Sequence, residues 1–261
     1  MTQVTQAPRA ARRSGWLSLG GAAVATAVVA GVLALAVAPA DSVQGQSQRL
    51  MYVHVPSAWT AFLSFAAVWL SSAAVLLRVG RRWDAVAQAA AELGVVMTAL
   101  AIAEGSIWGH EAWGVWWTWD PRLVTTALLL VLYIAYLAMR ALPGDPVRTS
   151  RRAAVAGVLF FAQVPLVHFS VLWWRTLHQP PTLLRPSLSP PMDPVMLLAL
   201  LCSLAAFTLG GAWYVRRRVA QLTAPEADPQ GAPVAAPSAA APAAAPGRPA
   251  ADPVLSTSEV G

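Results

Sequence analysis

Apolar residues in this chain come in six long runs broken by short polar stretches. They cover residues 16–37, 57–79, 85–107, 123–142, 153–173 and 195–215. Runs of roughly 18 or more apolar residues with few charges are the length an α-helix needs to cross a bilayer. The pattern predicts an all-α integral membrane protein, a bundle of six transmembrane helices over 16–218 with a short segment, 1–15, before it. The first run follows Arg12 and Arg13 and ends in Ala38-Pro39-Ala40, as a secretory signal would. It exceeds the usual core of such a signal and is read as a retained helix. Pro56 is read as the first-turn proline that opens the second helix, leaving His54 just before it. Over 219–261 the sequence turns to Ala, Pro and Gly, and a disordered cytoplasmic tail is expected there.

Composition sharpens this picture. Hydrophobic residues make up 57% of the chain and charged ones 11%, with mean hydropathy +0.54. A soluble domain carries about 25% charged residues, so too little polar surface remains here to cover a water-exposed domain. All 18 basic residues are arginine, and they sit in short clusters between the apolar runs. That placement fits membrane topology rather than a nucleic-acid face. Fourteen of the 18 fall on one side of the six runs, leaving Arg49, Arg122, Arg175 and Arg185 on the other. By the positive-inside rule both termini are cytoplasmic. Cys202 is the lone cysteine, which excludes a disulfide framework and a CxxCH heme attachment site.

The opposite, outer side gathers the unusual residues. Its three loops contain Tyr52-Val53-His54-Val55-Pro56, the tryptophan-rich stretch 108–122, and Trp173-Trp174-Arg175-Thr176-Leu177-His178-Gln179. Five of the chain's 12 tryptophans lie between Trp108 and Trp119. An interfacial aromatic belt would spread over all spans and both faces; this concentration points to a flat apolar platform instead. His54 and His178 flank it, and two neutral imidazoles are a ligand pair for heme iron as well as ordinary boundary residues. Asp120-Pro121 reads first as a helix cap, as does Asp193-Pro194. Arg122 and Arg49 are either partners for ligand carboxylates or interfacial anchors. His110, His168, Glu92 and Glu104 are further polar residues without an assigned role.

Trp113-Gly114-Val115-Trp116-Trp117-Thr118-Trp119-Asp120-Pro121-Arg122 resembles the "WWD" signature of heme-handling proteins in cytochrome c biogenesis. With Tyr52–Pro56 and His168–Gln179 in the same order, the chain resembles the heme exporter protein C (CcmC) family from about Val32 through the sixth run. Glu104 and His110-Glu111 depart from the family's usual pattern, and His110 offers a third imidazole nearby.

The resemblance implies a binding and delivery protein, not an enzyme. Such a protein holds heme b transiently at the outer face of the bacterial cytoplasmic membrane. It presents the heme to a membrane-anchored heme chaperone and works beside ABC transporter subunits. His54 and His178 would be the axial ligands; Trp113, Trp116, Trp117, Trp119 and Asp120 would form the contacting signature, with Arg122 beside them. The chain has no GxxxxGK[ST] loop, so ATP hydrolysis would belong to a partner. The alternative is a transmembrane transporter of heme or another solute. Such a transporter needs a polar path, and only Gln88, Glu92, Gln163 and His168 offer one.

Overall fold

The structure, a computed structural model, describes residues 9–80, 82–178 and 192–224, with side chains from Ser18 onward. Gln179, Arg185 and the expected tail beyond residue 224 lie outside the described residues. Helix α1 (Arg9–Val32) ends in a π-helical turn, Leu33–Val37, and a 3-10 turn, Ser47–Leu50, leads into α2 (Met51–Leu76). There follow α3 (Arg82–Trp113), α4 (Pro121–Ala141), α5 (Pro146–Phe160), α6 (Gln163–Trp173) and α7 (Pro194–Leu222). Counting α5 and α6 as one passage, six helical stretches are long and apolar enough to cross a membrane. The all-α, six-span expectation therefore holds among the described residues.

The boundaries depart from expectation where backbone chemistry was misread. Pro56 does not open α2 but lies inside it, so His54 sits on the helix rather than before it. The preceding 3-10 turn already orders the backbone at Ser47, and a proline this early removes only one ladder bond. Helix α3 continues six residues past the expected end, because nothing breaks it before Gly114, whose φ of +76° stops it. Trp108, Gly109 and His110 are thus helical, and the tryptophan-rich loop proper is 114–120. The fifth passage is broken between Phe160 and Gln163. Pro165 cannot donate to the Phe161 carbonyl four residues back, and the Val164 amide takes that oxygen instead at 2.9 Å. Helix α7 runs on through Arg216–Arg218 to Leu222, so residues 219–222 are helix rather than tail.

Helix α2 is the centre of the bundle, packing against α3, α5 and α7, while α1 lies against α7. Without a hydrophobic drive between helices in lipid, close approach of small residues does the packing. Ala87, Ala89, Ala90 and Ala91 of α3 are buried, and a Cβ at Gly94 would overlap the Phe65 ring of α2. Phe65 in turn stacks on Tyr133 of α4 at 3.7 Å. The arginine-rich end is stapled by two ion pairs. Arg140 meets Asp84 at 2.8 Å, with Ser150 on the same carboxylate. Arg218 meets Glu92 at 2.7 Å, joined by Tyr214 and Gln88. Gln163 donates to the Thr125 carbonyl at 2.9 Å. Three of the four residues that a polar pathway would use are therefore engaged in tying helices together.

Candidate functional site

The other end of the bundle carries both expected histidines, and each is mounted differently. His54 stands on α2, over the backbone of α3. A Cβ at Gly105 would lie 2.8 Å from its Cε1, so only glycine lets the ring settle there. Trp108, one turn along α3, meets the imidazole edge-on, with centroids 5.8 Å apart. Trp108 is itself fixed by donating its Nε1–H to Gln44 Oε1 at 2.9 Å. Gln44 belongs to a tight turn closed on Asp41, whose carboxylate accepts the Val43 and Gln44 amides at 2.8 Å. Arg49 donates to the Ala34 and Ala38 carbonyls freed by the π-helical end of α1, and to Gln46. It is thereby a staple of the first segment rather than a free cation. His54 Nδ1 is buried and has no hydrogen-bond partner among the described residues.

His178 lies on the irregular segment that follows α6, and Asp120 holds that segment. The Asp120 carboxylate caps α4 by accepting the Arg122 amide at 2.9 Å. It also accepts the Thr176 hydroxyl at 2.8 Å and the Leu177 amide at 2.7 Å. The His178 amide donates to Thr176 Oγ1 at 3.1 Å, which wraps the chain around the carboxylate. His178 Nδ1 is 3.8 Å from Asp120 Oδ1, and Trp113 packs against the ring at 5.3 Å. Burial pulls the Asp120 pKa upward, but the Thr176, Leu177 and Arg122 hydrogen bonds outweigh it and hold the carboxyl below its ordinary range. Burial pushes the His178 pKa down to about 4, with Arg122 and His54 adding to the effect and Asp120 opposing it. The contact is thus a carboxylate against a neutral imidazole, and the imidazole keeps a lone pair free to bind a metal.

Between these mounts lies the tryptophan loop. Ser106 Oγ donates to the Trp116 carbonyl at 2.5 Å, and His110 stacks on the Trp116 ring at 4.3 Å and 21°. Trp113 is half-buried beside His178, whereas Trp116, Trp117 and Trp119 face outward, Trp119 with 84% of its surface exposed. Arg122, half-buried at the start of α4, lies within electrostatic reach of Asp120, His54, His168 and His178. Its guanidinium makes no hydrogen bond among the described residues. The structure thus gathers His54, His178, Trp113, Asp120 and Arg122 in one neighbourhood. Sequence reading missed Gly105, Thr176 and the Gln44–Trp108 bond. Thr176 and Trp108 lie inside the unusual outer-loop stretches and Gly105 next to a departure from the family pattern, but nothing in the sequence assigns them these roles.

A family model described as heme exporter protein C matches residues 2–229. The chain belongs to the heme exporter protein C family. Among its relatives, the heme exporter protein C of Bradyrhizobium diazoefficiens is 36% identical over 199 residues, 76% of this chain and 74% of the relative. That of Escherichia coli (strain K12) is 34% identical over 232 residues, 84% and 89% of the two chains. A ccmC-like mitochondrial protein of cytochrome c biosynthesis from Marchantia polymorpha is 34% identical over 148 residues, 57% and 62%. The residues that carry the family resemblance are those that the fold brings to one end of the bundle.

Proposed function

We propose that this protein binds heme b transiently at the outer face of a bacterial cytoplasmic membrane, with His54 and His178 as axial ligands. It then delivers the heme to a membrane-anchored chaperone during cytochrome c biogenesis, beside ABC transporter subunits. The observation that carries this reading is the pair of shielded imidazoles from distant parts of the chain, His54 with a buried Nδ1 that has no hydrogen-bond partner among the described residues, set beside a tryptophan-rich wall. Buried polar atoms without partners are uncommon and call for a ligand or another explanation. Trp113, Trp116, Trp117 and Trp119 offer flat apolar rings for a porphyrin and its carrier. Arg122 is the half-buried cation placed to pair with a propionate. In the sequence, fourteen of 18 arginines fall on the side of the six runs opposite the histidine-bearing loops, which favours cytoplasmic termini. The chain's own residues hold and orient heme through the two imidazoles and the surrounding rings, without forming a covalent bond to the porphyrin.

The test is an absorption spectrum of detergent-purified protein from heme-replete cells, with His54→Ala, His178→Ala and His110→Ala variants alongside. A low-spin bis-imidazole spectrum, lost in the first two variants and kept in the third, is the expected result. A wild type without heme, or ligand variants with an unchanged spectrum, would overturn the assignment.

A further inference from the structure

The sequence uses one capping device three times: an aspartate followed by proline at the first helical position, at Asp120, Asp145 and Asp193. Among the described residues the Asp145 carboxylate accepts only the Arg148 amide and the Asp193 carboxylate only the Val195 amide, and both residues are exposed. Asp120 differs on every count. It is 7% exposed, and besides its capping bond it accepts two donors from residues 56 and 57 positions further along the chain. A cap needs neither. Burying a carboxylate costs several kcal/mol unless donors repay it, so the extra bonds serve something other than α4.

What they serve is visible in the segment they grip. Thr176 and Leu177 bind the carboxylate directly, and the next residue is His178. The His178 ring presents its Nδ1 toward the same carboxylate at 3.8 Å, under an ångström beyond hydrogen-bond reach. The nearer oxygen, Oδ1, already accepts the Arg122 amide and the Thr176 hydroxyl, whereas Oδ2 accepts only the Leu177 amide among the described residues and has a lone pair left for another donor. A metal-binding histidine usually gives its second N–H to a carboxylate or carbonyl, which fixes the tautomer and makes the ligating nitrogen more basic.

We propose that Asp120 is the positioning residue for His178: its carboxylate clasps residues 176–178 and takes the Nδ1–H, leaving Nε2 for iron. This deepens the heme-binding reading and rests on it for its metal. The carboxylate acts through His178, and its charge tunes the iron by way of the imidazole.

The experiment uses the full chain in detergent, comparing wild type with Asp120→Asn, Thr176→Val and Asp145→Asn. Hydrogen exchange over residues 174–178 is read in heme-free protein, and the midpoint potential is read on bound heme. Asp120→Asn is expected to speed exchange at least tenfold. It also raises the potential by about 59 mV, the one-electron equivalent of a tenfold change in the ratio of ferrous to ferric affinity. Thr176→Val keeps the carboxylate, so it speeds exchange and leaves the potential in place. Asp145→Asn, an ordinary cap, moves neither. Wild-type potential in Asp120→Asn would overturn the proposal, whatever happens to exchange. If the wild type takes up no heme, the preceding reading fails, and ¹⁵N shifts of His178 in heme-free protein decide this one. An Nδ1-protonated ring in wild type that loses that tautomer in Asp120→Asn supports it, and an unchanged tautomer overturns it.

Discussion

The two histidines are mounted in opposite ways. His54 is part of a long helix, pressed against a glycine of the next helix and backed by a tryptophan that is bonded in turn. His178 stands on irregular backbone, and hydrogen bonds to one carboxylate and one hydroxyl hold it in place. Moving His54 requires shifting packed helices, whereas moving His178 requires breaking two or three hydrogen bonds, those to the carboxylate worth about 1.5–3 kcal/mol each. One jaw is therefore fixed and the other releasable. Under the proposed delivery role, such an asymmetry would give the site one ligand that stays in place and one that can let go.

The largest expected effect is on the fixed jaw. Gly105→Ala places a Cβ 2.8 Å from His54 Cε1, so the imidazole must shift to make room. Overpacking of this kind costs roughly 1–3 kcal/mol. We expect heme affinity to fall by one to two orders of magnitude, read by titration of the heme-free protein, with helix content unchanged. An affinity within twofold of wild type would show that His54 is not fixed by α3. Next comes Gln44→Leu, which leaves the buried end of Trp108 without an acceptor. An orphaned donor costs about 1–3 kcal/mol, but the turn around Asp41 can adjust and water can reach it. The expected loss in affinity is about tenfold. Unaltered binding would detach the first segment from the fixed jaw.

How much of this was legible in the sequence differs between the jaws and the frame. The frame is written in hydrophobic runs that need no tertiary information, so all six spans were readable. His54, His178 and the tryptophans stood out as polar or aromatic residues at span ends. Partnership was hidden. Asp120 reads as a cap because its local bond is to Arg122, and nothing nearby announces donors 56 residues away. Arg49 read equally as a ligand partner or an interfacial anchor, since only the fold reveals the carbonyls that the end of α1 leaves for it. Pro56 was misplaced for the same reason: a proline's meaning depends on whether the helix already exists upstream. Pro165 was passed over because its apolar neighbours hid the break it makes.

The smallest effect concerns the third imidazole. His110 was a rival ligand on sequence alone, being close to the signature and of the right chemistry. In the fold its ring lies flat on Trp116, one turn along α3 from Ser106, which binds the Trp116 carbonyl. Together they press the start of the tryptophan loop onto α3, which gives the His110 ring a packing role. An aromatic pair of this kind contributes about 0.5–1.5 kcal/mol beyond its buried area. We therefore expect His110→Ala to keep the low-spin spectrum, speed hydrogen exchange over residues 114–117, and weaken heme binding about threefold. His110→Phe should restore the exchange rate, since it replaces the stacking surface and discards both nitrogens. A variant that loses the bis-imidazole spectrum and is not rescued by phenylalanine would make His110 a ligand, and the comparison between a fixed and a releasable jaw would then have to be redrawn around it.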